Sequence, residues 1–174
     1  MNISFKSVIV HQHKGYILKT FLNLIFLSSF INAQYDYSLE DLNPSSDYYG
    51  DLVGTSYFND KLTLHYFGHF TWGTCAVRFE QLNELYDNLK LSGVPIALVG
   101  IGKDSQINSI SNWTEQNNSP VCADPTPFQV WEDWEAYQRD LFITNSNGEL
   151  VFRENITSGI PDSLENFINS LNNL

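Results

Sequence analysis

The sequence has little positive charge. Beyond residue 33 it holds six lysine and arginine residues against 20 acidic residues, a formal net charge of −14. A surface of this sign repels nucleic acid and anionic membranes because it cannot neutralise phosphates. The chain also lacks a polybasic or histidine-rich tract. The charge therefore indicates solubility, and we expect no nucleic-acid partner; the sequence names no other partner.

Cysteine is scarce as well, with only Cys75 and Cys122 in the 174 residues. No spacing of cysteine and histidine matches a structural zinc pattern, and we expect neither a metal nor a cofactor. Two cysteines fit one disulfide. They fit equally well one reactive thiol with its resolving partner.

A long hydrophobic run near the N-terminus is also missing. The apolar stretch 21–27 is too short for a transmembrane helix, which needs about 20 residues. It follows three lysines and no acidic residue, and small and polar residues lead from it to Ala33. This order is typical of a secretory signal peptide, so we predict one over 1–33 and an extracellular mature protein that does not insert into a membrane once the signal is cleaved. An uncleaved membrane anchor is the alternative.

Three N-glycosylation sequons follow from the prediction of secretion. They begin at Asn112, Asn117 and Asn155, and each predicts an exposed loop that carries a glycan. Asn117 is the weakest of the three because Pro120 follows its sequon.

The chain beyond residue 58 has the patterning of one α/β domain. Residues 34–58 are polar and rich in tyrosine, and we expect them to form a loosely structured lead-in to a domain over 59–174. The run 62–67 predicts a strand, apolar residues at helical spacing follow from Cys75 to Leu89, and 95–101 predicts a buried parallel strand. This is a β-α-β unit.

The second half predicts a hairpin and a last helix. Residues 140–144 and 149–152 are strand-like and flank an Asn-Ser-Asn-Gly turn, and an apolar stripe over 162–171 predicts the helix. Between the halves, Trp131, Trp134 and Tyr137 lie at helical spacing. They indicate a helix that caps the sheet rather than a ligand surface.

Together the elements predict a thioredoxin-like fold, with a central mixed sheet built from β-α-β and β-β-α halves. In that fold a cis-proline often precedes the hairpin beside the active site. Pro120 is the candidate for this position.

Cys75 lies where the first strand passes into the first helix. Free backbone N–H groups and the positive end of the helix dipole at such a site favour the reactive thiolate. A thioredoxin-type enzyme has Cys-x-x-Cys here, but this chain has Trp72 at the first position. Because tryptophan cannot exchange disulfides, the ordinary two-cysteine cycle is excluded.

Residues 59–153 resemble the N-terminal domain of selenoprotein P. The shared features are Cys75 with a leucine-rich helix to Gly93, the apolar strand 96–101, Pro120-Val121, Val130-Trp131, and the segments 140–143 and 147–152. The resemblance implies a thioredoxin-like fold with a selenocysteine-x-x-cysteine motif.

This resemblance places Cys75 at the family's cysteine and Trp72 at its selenocysteine. The family's selenocysteine-rich tail, associated with selenium transport, has no counterpart in these residues, so neither selenium carriage nor selenol peroxidase activity carries over. Since UGA encodes selenocysteine and differs by one base from the tryptophan codon UGG, a misread selenocysteine at position 72 is a hypothesis that sequencing the codon decides.

Two main functions remain open. In the favoured one, Cys75 and Cys122 form a permanent disulfide in a secreted, selenoprotein-P-like protein with weak or no redox activity. In the alternative, the chain is a thiol peroxidase or oxidoreductase in which Cys75 is the nucleophile and Cys122 the resolving thiol. Thr71, Thr74 and Arg78 are then candidates for orienting a peroxide.

A metal site formed by His65, His69 and Cys75 is a third hypothesis. The two histidines would share a strand face if the strand extended to His69. We expect both rings to pack or to hydrogen-bond instead.

Overall fold

A five-stranded mixed sheet forms the centre of this computed structural model, which describes residues 35–172. Across the sheet the strands are Val121–Asp124, Ile96–Lys103, Leu62–Phe67, Asp140–Thr144 and Leu150–Asn155. The first three run parallel, and the last two run antiparallel to their neighbours. The predicted signal peptide lies outside the described residues. No helix in the described range is long and apolar enough to cross a membrane.

The elements follow one another in the predicted order. The strands are β1 Leu39–Glu40, β2 Leu52–Val53, β3 Leu62–Phe67, β4 Ile96–Lys103, β5 Val121–Asp124, β6 Asp140–Thr144 and β7 Leu150–Asn155. The helices are α1 Gly73–Leu91, α2 Ser111–Thr114, α3 Gln129–Asp133 and α4 Leu164–Asn172, with a 3-10 helix over Asp104–Ser109. The predicted β-α-β and β-β-α halves are confirmed.

Helix α1 lies against one face of the sheet because its apolar side chains recur every three or four residues. Cys75, Phe79, Leu82, Tyr86 and Leu89 are buried along that stripe. The helix ends where predicted, since Gly93 adopts a left-handed backbone (φ 85°) that a side chain would strain.

Two apolar clusters cover the two faces of the sheet. On the first face, α1, α2 and α4 pack against alternate residues of the strands, such as Leu64 and Tyr66. On the second face, α3 and the segment before β3 pack against Phe67 and Phe142. Alternate strand residues point to opposite faces, so β3 is buried along its whole length.

Large aromatic rings pack directly on the backbone of β4 on the first face, because β4 has glycine at the points of contact. At Gly100 an added Cβ would lie 2.8 Å from the Phe79 ring and 2.9 Å from the Trp113 ring. At Gly102 it would overlap the Phe70 ring. The two glycines therefore allow a stack of aromatic rings to approach the backbone of β4.

The segment 35–58 is not the loosely structured lead-in that its polar composition suggested. It contains the β1–β2 ribbon, and it buries Val53 and Phe58 on the second face of the sheet. The Leu42 N–H donates to the Val121 carbonyl over 2.8 Å, which extends the sheet beyond β5. Residues 35–58 are structured because these apolar side chains are buried and the backbone pairs with the edge of β5.

The tryptophan-rich stretch caps the sheet as expected, but its helix is short. Trp131 and Trp134 are buried in the second-face cluster. Tyr137 lies beyond the end of α3 and is 73% exposed, so it does not continue the buried stripe.

The proline prediction is wrong. Within residues 35–172 the cis peptide bond is Thr126–Pro127, not the bond before Pro120. Pro120 precedes the parallel strand β5, whereas the hairpin begins at β6, and the residue before β6 is Arg139. The expected position beside the first helix is thus taken by a cation.

We predict that Gly100→Ala destabilises the fold by about 1–3 kcal/mol, because the new methyl group must displace the Phe79 and Trp113 rings. Urea unfolding monitored by circular dichroism measures the change. The control is Gly73→Ala, since a Cβ there meets no atom within 4 Å. Equal stability of the two variants would contradict the close packing over β4.

Candidate functional site

Cys75 lies in the first turn of α1, just after β3. The residue is fully buried, whereas 71–74, which lead into it, are exposed. Its backbone N–H donates to the Trp72 carbonyl over 2.9 Å, and its carbonyl accepts a hydrogen bond of 3.2 Å from the Tyr66 hydroxyl. Burial is the main cause that raises the pKa of Tyr66, so this phenol stays neutral and fixes the backbone at Cys75.

Arg139 is the cation beside the sulfur. Its Nη1 lies 3.7 Å from Cys75 Sγ, and within the described part of the chain it is the hydrogen-bonding partner of that sulfur. The Arg139 N–H donates to the Phe67 carbonyl at the end of β3 over 2.6 Å. Its backbone is left-handed (φ 69°), which is uncommon for a residue with a side chain and is often found at functional sites.

Sequence reasoning missed Arg139 and proposed Arg78 instead. Arg78 lies on α1 but turns away from the sulfur: its Nε donates to the Ile156 carbonyl over 3.0 Å, and its Nη1 donates to Gln81. The position of Arg139 in the sequence could have identified it. It is one of six cations beyond residue 33, and it directly precedes the first strand of the predicted hairpin.

The rim of the site is aromatic. Trp72, which is 45% exposed, stacks on His69 with ring centroids 4.9 Å apart and an interplanar angle of 23°. The Arg139 guanidinium lies 5.6 Å from the centroid of the Trp72 ring. Burial is the main cause that lowers the pKa of His69, whose Nδ1 also bonds to Gln106. Trp72 therefore packs on the rim of the site between the His69 ring and the Arg139 guanidinium.

Cys122 does not join Cys75. Both thiols are free, and they lie in the clusters on opposite faces of the sheet. Cys122 Sγ donates to the Leu39 carbonyl at 3.8 Å, and burial, with the nearby Asp41 charge, raises the pKa of this thiol well above its usual value. The structure thus contradicts both the permanent disulfide and the resolving role that the sequence suggested for Cys122.

Thr71 and Thr74, the two candidates for orienting a peroxide, are both exposed, Thr71 on the turn before α1 and Thr74 in the first turn of α1. The described hydrogen bond to the sulfur comes from Arg139 rather than from either hydroxyl. The structure therefore does not assign them a role at the sulfur.

His65 is part of the core rather than of a metal site. Its Nδ1 is 2.8 Å from the Tyr37 hydroxyl and its Nε2 is 3.1 Å from Thr144 Oγ1. Burial lowers the pKa of His65 to about 3. Both ring nitrogens are therefore engaged away from Cys75, and residues 35–172 contain no cluster of three potential metal ligands.

The three sequon asparagines differ in exposure. Asn112 and Asn155 are exposed, although each donates from its amide to a backbone carbonyl. Asn117 is buried, and its Nδ2 donates to the Trp113 carbonyl over 2.6 Å. The folded structure is therefore incompatible with a glycan at Asn117.

Comparison with known proteins identifies the fold. No family model and no curated protein matches the chain. Similar solved structures include a secreted Mycobacterium tuberculosis disulfide oxidoreductase homologous to E. coli DsbE (TM-score 0.58, 12% identity, covering 79% of this chain and 97% of that chain). Others are a putative thiol:disulfide interchange protein DsbE from Chlorobium tepidum (0.59, 16%, 78% and 89%) and yeast Sco1 (0.61, 11%, 81% and 99%).

The chain therefore has a thioredoxin-like α/β fold with a central five-stranded mixed sheet. At these identities the likeness concerns the fold alone, and nothing in it is specific to selenoprotein P. The site in this fold consists of one thiol and one guanidinium at the carboxyl end of β3.

We predict that the purified chain has two free thiols. Maleimide labelling in urea without reductant, read by mass spectrometry, should add two labels, since the folded protein keeps Cys75 and Cys122 on opposite faces. The variants Cys75→Ser and Cys122→Ser should each take up one label, because each keeps one cysteine. A chain that takes up no label without reductant would establish the disulfide.

We predict that His65 makes the fold sensitive to acid. Its pKa of about 3 is below its ordinary value of 6.5, so between these values the unfolded chain binds a proton that the folded chain does not. Stability therefore falls as the pH falls through this window. Between pH 7.5 and 5.5 the loss from this group is about 1.4 kcal/mol.

Urea unfolding at the two pH values measures this loss, with His65→Gln as the control. The variant should be less stable at pH 7.5 but should lose less on acidification, because its side chain does not titrate. Equal losses in both proteins would contradict burial of a neutral His65.

Proposed function

We propose that this chain is a secreted thiol redox protein in which Cys75 alone supplies the reactive sulfur. The observation that carries the proposal is the Arg139 guanidinium 3.7 Å from Cys75 Sγ, in the first turn of a 19-residue helix. The guanidinium places a positive charge and hydrogen-bond donors at the sulfur, where negative charge develops when a sulfur attacks an oxidised substrate. The fold supports the same kind of chemistry, since two of the similar structures are of thiol–disulfide proteins.

The reaction that fits one thiol beside one cation is reduction of a hydroperoxide. Because Cys75 is fully buried, a peroxide reaches it only when the exposed segment 71–74 moves aside. The Cys75 sulfur then attacks one peroxide oxygen as a thiolate, so that an S–O bond forms and the O–O bond breaks. The sulfur is oxidised to a sulfenic acid, and the second oxygen leaves with the electron pair of the broken bond and takes a proton. Arg139 donates hydrogen bonds toward the oxygen on which negative charge develops.

The reducing half of the cycle needs a thiol from outside the chain. Cys122 cannot supply it, because the sheet lies between the two sulfurs. An external thiol attacks the sulfenic acid of Cys75, releases water and forms a mixed disulfide. A second external thiol then displaces Cys75, which regains its thiolate, and the two external thiols leave as a disulfide.

The proposal includes two further points: the chain is related to the N-terminal domain of selenoprotein P, and it is secreted. The residues that support the relation are those of 59–153, with Trp72 in place of the selenocysteine. A basic, then apolar, then small-residue N-terminus supports the signal peptide over 1–33. Exposure of Asn112 supports glycosylation at its sequon. Asn155 is exposed too, but its amide group donates to both Asp140 Oδ1 and the Gln138 carbonyl, so a glycan there would remove one of these bonds.

We predict that hydrogen peroxide converts Cys75 to a sulfenic acid, which dimedone traps and peptide mapping by mass spectrometry locates. Cys75→Ser should abolish the adduct. Cys122→Ser is the matched control and should keep it, since Cys122 is buried on the other face.

The contrary result is also well defined. If the wild-type chain gives no dimedone adduct at Cys75 while its thiol is free, the site does not react with peroxide. The chain would then be a member of this fold with weak or no redox activity, as the interpretation favoured from the sequence holds.

A further inference from the structure

We infer that Thr157, held by Asn155, is a positioning residue that aims the Arg139 guanidinium at Cys75. The inference rests on the proposed function and adds to it the group that fixes the cation at the sulfur. Arg139, Asn155 and Thr157 are distant from Cys75 in the sequence, and the fold brings them to its side of the sheet.

A chain of hydrogen bonds leads from Asn155 to the sulfur. Arg139 Nε donates to Thr157 Oγ1 over 2.8 Å, and that hydroxyl donates in turn to Asn155 Oδ1 over 2.6 Å. The guanidinium is planar and rigid, so that fixing Nε restricts where the other nitrogens lie. Nη1 is then directed to Cys75 Sγ.

Asn155 is itself fixed on the backbone around Arg139. Its Nδ2 donates to Asp140 Oδ1 over 2.7 Å and to the Gln138 carbonyl over 3.0 Å. These are the residues on either side of Arg139. In addition, the Ile156 N–H donates to the Arg139 carbonyl over 2.8 Å. The segment 155–157 therefore holds both the backbone and the side chain of the arginine.

The same segment is tied to the helix that carries the sulfur. Arg78 of α1 donates from Nε to the Ile156 carbonyl over 3.0 Å and from Nη2 to the Thr157 carbonyl over 3.3 Å. Arg78, which sequence reasoning assigned to the peroxide, thus connects α1 to the segment that orients Arg139.

The Thr157 hydroxyl selects one of several positions open to the Arg139 side chain, which is long and half-buried and can also pack on a neighbouring ring. A free arginine side chain has many rotamers, and the Trp72 ring lies next to this one. Without the hydroxyl, the guanidinium loses the contact that selects the rotamer facing Cys75. Its charge would then spread over the rim of the site instead of lying at the sulfur.

Alkylation of Cys75 by two reagents tests this inference on the full chain without peroxide. The chain is produced without N-glycans, because Thr157 belongs to the Asn155 sequon and Thr157→Val would otherwise also remove a glycan. Iodoacetate is an anion and iodoacetamide is neutral, so the ratio of their rates at Cys75 reports the local positive charge. Peptide mapping by mass spectrometry separates Cys75 from Cys122. A variant that merely opens the site raises both rates and leaves the ratio unchanged.

We expect Thr157→Val to lower the iodoacetate-to-iodoacetamide ratio about threefold to tenfold, as Arg139→Gln does. Thr157→Ser should restore the wild-type ratio, because serine keeps the hydroxyl. The double variant Thr157→Val with Arg139→Gln should show no further loss. The control Thr126→Val removes a threonine hydroxyl that bonds to Asp104 and should not change the ratio.

An unchanged ratio in Thr157→Val would overturn the inference, as would a failure of Thr157→Ser to restore it or a wild-type Cys75 that neither reagent alkylates. The proposed function fails separately. A chain with the expected ratios that gives no sulfenic acid would have a positioned arginine at a thiol that does not reduce peroxide.

Discussion

The antiparallel pairing of β3 with β6 fixes where the site lies. Phe67, the last residue of β3, is opposite Asp140, the first residue of β6, so Arg139 meets the carboxyl end of β3. The chain leaves β3 at that point and enters α1 at Gly73, which brings Cys75 to the same place. A shift of one residue in this register would turn the alternate side chains of β6 to the wrong faces.

The fold could be predicted from the sequence, but the residues that contact the Cys75 thiol could not. Strands 62–67 and 140–144 and the helix after Cys75 could be predicted because their apolar periods of two and 3.6 are local properties. The contact between Cys75 and Arg139 joins residues 64 positions apart and depends on a strand register that no local pattern records. The faces of Cys75 and Cys122 depend on the same register, so the expected disulfide was wrong.

Polar composition misled the interpretation of residues 35–58 for a related physical reason. Tyrosine combines an apolar ring with a polar hydroxyl, and the half-buried Tyr37 packs its ring against Trp134 while its hydroxyl bonds to His65. Asp41 is fully buried, and its Oδ1 accepts hydrogen bonds from the Asn43 and Val121 N–H groups. A tyrosine-rich, acidic stretch can therefore cover a sheet when strand edges and a buried histidine supply its hydrogen bonds.

The separation of the two thiols by the sheet also restricts the order of events during folding. In an oxidising compartment an unfolded chain can join Cys75 to Cys122, since its flexible backbone brings them together readily. That cross-link is incompatible with the native sheet, which holds the sulfurs on opposite faces. The chain must therefore close its sheet before its thiols are oxidised, and the folded state then protects Cys122 for as long as it persists.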